Sequence, residues 1–218
     1  MRTFKNIAIK RVVISSLLLF ATTGLFAQIF VGGSVGFNTT GGKIENGNTS
    51  VDKVTQTSFS LAPKAGIFLS EKLAVGAILG FNLQSEKTPG TPEEIDRTTT
   101  FGLTPFARYY AFSLNKFSVF AQGNLGFSYG VEKNKVGSTT TTGPKTTTIG
   151  ISAFPGISYK LTDKVELEAV IGGLNLNFNR VSVKDNNTTN ITNTFGVGAN
   201  LDAIATTGFI TIGAIVKL

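Results

Sequence analysis

The sequence predicts an all-β protein: an eight-stranded antiparallel up-and-down transmembrane β-barrel. Three observations carry that reading. Long stretches alternate apolar with small or polar residues, the period of a strand with two different faces. The connectors between them alternate between short and long. The last ten residues are themselves such a stretch: from Ile210, the apolar Ile210, Ile212, Ala214, Val216 and Leu218 alternate with Thr211, Gly213, Ile215 and Lys217. No segment sustains helical periodicity.

Taken in order, the first strand, about Ile29 to Thr39, places Ile29, Val31, Val35 and Phe37 on one face and Gly32, Ser34, Gly36 and Asn38 on the other. The second, about Val54 to Leu69, sets Phe59, Leu61, Ala65, Ile67 and Leu69 against Gln56, Ser58, Ser60, Lys64 and Gly66. The third sets Leu73, Val75, Ala77, Leu79, Phe81 and Leu83 against Gly76, Gly80, Asn82 and Gln84. In the fourth, about Thr98 to Phe112, Phe101, Leu103, Ala107, Tyr109 and Ala111 oppose Thr100, Gly102, Thr104, Phe106, Arg108 and Tyr110. The fifth runs from Phe117 through Val131, and the sixth from Ile149 to Leu161, with the same alternation. The seventh starts with Val165, Leu167, Ala169 and Ile171 on its apolar face, and after Gly172-Gly173 the parity flips to Leu174, Leu176 and Phe178. An extra residue at a glycine pair is the sequence form of a β-bulge. The eighth flips likewise, from Phe195, Val197, Ala199 and Leu201 to the even-numbered residues after Asp202–Gly208; that segment is expected to be a bulge or kink, a short hairpin being the alternative.

Ser70–Lys72, Leu114–Lys116 and Thr162–Lys164 read as short turns, and Thr40–Lys53, Lys87–Arg97, Asn134–Lys145 and Asp185–Thr192 as longer polar loops. Short turns at one end and long loops at the other is the plan of an outer-membrane barrel. A soluble sandwich would also alternate, but its strands average about five or six residues, and its outer face would carry many charges. Here the polar face is rich in Gly, Ser, Asn and Gln, which suits the crowded lumen of eight strands. Tyr109, Phe117, Tyr129 and Tyr159, near strand ends, are candidates for interfacial girdles.

Residues 1–27 read as a cleaved export signal, leaving 28–218 as one barrel domain. Arg2, Lys5, Lys10 and Arg11 precede an apolar run from Val12 to Phe20, with Ala27-Gln28 as the cleavage point. The run is well short of the ~20 residues that span a bilayer as a helix. Removing it takes four of the 20 basic residues and none of the 13 acidic ones, so the charge falls from +7 to 16 − 13 = +3. The basic pI is thus partly an export label, and no nucleic-acid partner is expected. The chain has no Cys and no His, which removes disulfides, thiolate and histidine metal sites and the Ser-His-Asp constellation. No cofactor, metal or catalytic residue is expected.

The stretch Phe59-Ser60-Leu61-Ala62-Pro63-Lys64-Ala65-Gly66-Ile67-Phe68-Leu69-Ser70-Glu71-Lys72-Leu73-Ala74-Val75-Gly76 resembles a hairpin of the bacterial outer-membrane-protein β-barrel domain family, which includes small OmpX- and OmpA-type barrels. The chain end also resembles that family's C-terminal assembly signal, with Thr211, Gly213, Val216 and Leu218 at its fixed positions and Leu218 where many members carry Phe. The resemblance implies a bacterial outer-membrane address, with outer-membrane lipid, the barrel-assembly machinery and periplasmic chaperones as partners. A monomer is expected.

Lys64, Arg108, Glu132, Lys160, Glu166, Glu168 and Lys217 form the candidate lumen charge network. Across the turn Thr162–Lys164, Lys160 should face Glu166 and Ser158 should face Glu168, with Lys217 entering from the last strand. A compensated polar plug accounts for these residues better than a paired-carboxylate site, since charges in a narrow lumen must be paired. The glycines lie within strands and never precede a helix, so no phosphate-cradling loop is expected. The threonine tract Ser138–Thr148 reads as a solvated loop tip. The expected function is a non-enzymatic integral barrel with a side-chain-filled lumen, structural or displaying its long loops outside. The alternatives are a small porin for ions or small solutes, and then a lipid-modifying enzyme.

Overall fold

The computed structural model describes residues 28–47, 49–171, 174–199 and 210–218. The expected export signal, residues 1–27, lies outside them. The strands are β1 (Ile29–Thr40), β2 (Lys43–Asn46), β3 (Thr49–Asp52), β4 (Thr55–Phe68), β5 (Leu73–Thr88), β6 (Glu94–Leu114), β7 (Phe117–Val136), β8 (Thr139–Lys160), β9 (Val165–Ile171), β10 (Leu174–Asp185), β11 (Thr188–Ala199) and β12 (Ile210–Lys217).

Antiparallel neighbours run β1, β4, β5, β6, β7, β8 around the barrel. β9 and β10 together form the seventh strand, both paired to β8; β11 and β12 form the eighth, paired to β10 and β9. The ring closes where β12 meets β1, from Phe30↔Lys217 to Gly33↔Ala214. Closure follows from the solvent: lipid offers no partner to an open sheet edge. The expected bulge or hairpin at Asp202–Gly208 lies outside the described residues, but the parity flips on either side of it are present. Leu167 faces out on β9 and Leu176 and Phe178 on β10; Phe195 and Val197 face out on β11 and Ile212 and Val216 on β12.

The loops differ from expectation. Most of the four long polar segments continue the sheet: β7 and β8 run to Val136 and Thr139, β10 and β11 to Asp185 and Thr188, and Thr40–Lys53 holds the small hairpin β2–β3. The threonine tract is therefore strand, not loop tip. β-Branched threonines favour the pleated surface, and each two-residue turn has a first residue that tolerates positive φ: Gly47 (59°), Gly137 (59°) and Asn186 (48°), as also Asn115 (52°) at the opposite end. Gly143-Pro144 sits at a register shift opposite Glu132, where the missing proline donor costs no ladder bond. At the short-turn end, the Thr162 hydroxyl accepts from Lys164 N at 3.2 Å and Val165 N at 3.0 Å.

The outer face carries an apolar belt that includes Val35, Phe37, Leu79, Phe101, Ile151 and Val197, each more than half exposed. Tyr109, Phe117 and Tyr129 also face outward, and Phe117 packs on Tyr159 at 4.7 Å. Leu79→Arg on this belt is expected to cost ~2–4 kcal/mol, the penalty of a cation near the bilayer midplane. Asn82→Arg, three residues along the same strand on the lumen side, should cost less. Refolding titrations into lipid check the ranking, and an inverted order would mean that β5 is assigned the wrong outer face.

Candidate functional site: a charged and aromatic floor across the lumen

Inward residues at the short-turn end pack into a layer across the lumen. Phe30, Phe106, Tyr110, Phe120, Ala74 and Ile215 are buried together, with Phe68, Ile78 and Val170 packed against them. The rings contact one another: Phe30 with Phe68 at 5.3 Å, Phe68 stacked on Tyr110 at 5.7 Å, and Tyr110 with Phe120 at 5.8 Å. Three of these rings fit because glycine faces them in register: Phe30↔Gly66, Phe106↔Gly76 and Phe120↔Gly156. A Cβ at Gly66, Gly76 or Gly156 would overlap the ring across from it.

The charges are threaded through this layer. Arg108 is 1% exposed, between Phe106 and Tyr110 on β6. Its Nη1 donates to Glu168 Oε2 at 2.7 Å and to the Tyr110 hydroxyl at 3.4 Å. Its Nε and Nη2 both donate to Gln122 Oε1, at 2.9 and 2.7 Å. The guanidinium lies 3.9 Å from the Phe120 ring centroid, a cation over a π face. Lys64 forms an ion pair with the other oxygen of Glu168, so one carboxylate from β9 ties β4 to β6 across the lumen. Lys217 donates to Glu166 Oε1 at 2.5 Å and lies 4.9 Å from the Phe68 ring centroid. Gln122 hands the network on to Asn124 at 2.8 Å, and Asn124 to Ser152 at 3.2 Å. Among the described residues no buried side-chain polar atom lacks a partner. A buried charge network is tolerable only when its members are paired in this way.

Of the expected network, the structure brings Lys64, Arg108, Glu166, Glu168 and Lys217 together and leaves two residues out. Glu132 shares the inward parity but lies ten residues beyond Gln122, about 33 Å along the strand, near the opposite mouth with Gln56, Glu86 and Asp96. Lys160 is opposite Glu166 in register, yet its side chain is exposed at the short-turn rim, where water solvates the amine. Glu166 takes Lys217 instead. Of the assembly-signal positions, Gly213, Val216 and Leu218 lie on or beside β12; Thr211 is placed by backbone pairing to Val170. The aromatic floor itself was not among the expectations. Its signal was in the chain: inward Phe opposite inward Gly on three pairs of neighbouring strands.

Above the floor the lumen is not filled. A cavity of about 240 Å³ lies against the charge network itself, at Lys64, Arg108, Gln122 and Glu168, and cavities of about 400 and 440 Å³ follow toward the long-hairpin end. The middle one is lined by small inward residues such as Ser60, Gly80, Asn82, Thr104, Gly126 and Ser152. A side-chain-filled lumen therefore describes only the level of the aromatic layer, because small residues at inward positions beyond it leave the space that Phe and Arg occupy there. Among the described residues no group of three or more His, Cys, Asp and Glu is placed to hold a metal ion.

The model of the outer membrane protein beta-barrel domain matches residues 13–202. Among solved structures, the chain is similar to Neisserial surface protein A, at 16% identity and a TM-score of 0.39 over 88% of this chain and 96% of that one. It is similar to Ail, the attachment invasion locus protein of Yersinia pestis, at 11% identity and a TM-score of 0.40, over 88% and 97%. It is also similar to OprG from Pseudomonas aeruginosa, at 12% identity and a TM-score of 0.41, over 88% and 94%. No curated protein matches the chain. The matched domain covers most of the sequence, so the chain belongs to the outer membrane protein β-barrel domain family and is an integral protein of the bacterial outer membrane.

Proposed function

We propose that this protein is a sealed, non-enzymatic barrel whose role is structural or surface display. Export by residues 1–27 and insertion by the barrel-assembly machinery, with periplasmic chaperones in attendance, would deliver a monomer held by outer-membrane lipid. The supporting observation is the floor: Arg108, Glu168 and Lys64 bridge three strands inside a layer of aromatic rings, at the end where the start of β1 meets the last residues of β12. What remains on offer to the outside is the set of extended hairpins, above all β6–β7–β8, whose strands of 21, 20 and 22 residues far exceed the ~9–11 needed to span.

The chain has no cysteine, so single cysteines report orientation against a clean background. Ser138→Cys, in the β7–β8 turn, should react with a membrane-impermeant maleimide on intact cells. Ser70→Cys, in the opposite turn, should react only after lysis. The reverse pattern would put the hairpins in the periplasm and end the display reading. The second reading is a small porin, favoured by the stacked cavities above the floor; conductance separates the two.

A further inference from the structure

Around the long-hairpin end, charge is sorted by strand face. Inward positions carry the carboxylates Glu86, Glu94, Asp96 and Glu132, while the outward residue that follows three of them is a cation: Lys87, Arg97 and Lys133. Arg97 on β6 stands directly opposite Lys133 on β7, and Lys145 on β8 directly opposite Lys184 on β10. Lys145 is also the cross-strand partner of Val131, two residues from Lys133, so the two pairs are neighbours across four adjacent strands. All four side chains are exposed. None pairs with a carboxylate among the described residues, although other lysines do: Lys43 with Asp52 and Lys87 with Glu93.

Like charges directly opposite in a sheet are destabilising, and moving either row by one residue would have met a carboxylate. Two such pairs side by side concentrate positive charge on one outward patch, which favours a counter-charge from outside the chain. Their height says which. Arg97 lies four residues beyond outward Phe101, Lys133 four beyond Tyr129 and Lys145 four beyond Ile149, each of those apolar-belt residues exposed. Four residues is about 13 Å along a strand, which puts the cations at the headgroup layer that borders the belt.

We propose that Arg97, Lys133, Lys145 and Lys184 form a docking surface for the phosphate groups of an outer-leaflet glycolipid. The assignment to the outer leaflet rests on the orientation given under Proposed function; the binding itself does not. Arg97 can take a phosphate through two parallel N–H bonds and the lysines add point charges. A lipid held there also fastens four strands from outside, opposite the inner carboxylates.

The test uses the full mature barrel folded in detergent, with a diphosphorylated glucosamine-disaccharide lipid (lipid A), the same lipid dephosphorylated, and inorganic phosphate as three separate probes. The phosphorylated lipid should raise the Tm of the wild-type barrel and bind at least tenfold more tightly than to a variant carrying Arg97→Ser, Lys133→Ser, Lys145→Ser and Lys184→Ser, whose folding is checked by heat-modifiable gel mobility. A second variant, Lys72→Ser, Lys116→Ser and Lys164→Ser in the opposite turns, should keep wild-type affinity. Affinity of the fourfold variant within twofold of wild type would overturn the proposal. So would equal binding of the dephosphorylated lipid, an equal shift from inorganic phosphate, or an equal loss in the turn variant. None of those results bears on whether the hairpins face outward, which the cysteine labelling reads separately.

Discussion

Glu168→Ala should be the most damaging single substitution in the lumen, destabilising the barrel by about 3–5 kcal/mol, the cost of removing one partner from a buried ion pair. Glu168 is 5% exposed and holds both Lys64 and Arg108, so its loss leaves two cations facing each other with aromatic rings around them. Glu132→Ala, an inward carboxylate on the same kind of strand, should change stability by no more than about 0.5 kcal/mol, the range of surface substitutions away from such features. Replacing Lys64, Arg108 and Glu168 together by methionine should recover much of the loss, because well-packed apolar residues often substitute for a buried charge network at little cost. Urea unfolding in detergent measures all three. Equal effects at Glu168 and Glu132 would show that the floor does not depend on this network.

The second large effect is expected at the chain end. Deleting Val216–Leu218 removes the pairs Phe30↔Lys217 and Val31↔Val216, the bond from Leu218 N to Ile29 O at 2.9 Å, and the Lys217–Glu166 ion pair. β1 then keeps an open edge at membrane depth, where neither lipid nor water satisfies its backbone. The truncated chain should accumulate in the periplasm or be degraded. Leu218→Phe should be tolerated, since Leu218 is 69% exposed on the outer face and has room for a ring. Fractionation and immunoblotting give the result; normal outer-membrane yield of the truncated chain would remove the assembly role of Thr211, Gly213, Val216 and Leu218.

How far the sequence could be read follows from what each feature depends on. Strand faces depend on a period of two that is local, so the outward rows through Leu79, Phe101 and Ile151, and the parity flip after Gly172-Gly173, were legible from composition along the chain. Register across the turn at 162–164 was equally accessible, and Lys160↔Glu166 and Ser158↔Glu168 are paired as expected. Ion pairing was not, because it depends on where a flexible side chain ends: Lys160 has water at the rim, whereas Lys217 reaches Glu166 from the neighbouring strand. Glu132 shows the complementary limit, since parity gives the face but not the height. The long polar segments read as loops from their Thr, Gly and Asn content, yet threonine favours strand, and the turns that start at Gly137 and Asn186 take only two positions each. The aromatic floor escaped because inward Phe30 and Phe120 lie in short apolar runs, Ile29-Phe30-Val31 and Val119-Phe120-Ala121, that blur the two faces; only pairing them with Gly66 and Gly156 across strands reveals the layer.

Single-barrel conductance in a planar lipid bilayer tests the seal most directly. With Arg108, Glu168 and Lys64 bridging the lumen inside a ring of buried aromatics, the wild-type protein should show no stable open state, and Glu168→Ala should show transient openings through the gap that the carboxylate vacates. A stable open state of defined conductance in the wild-type barrel would contradict the account and make the cavities above the floor part of a continuous pore.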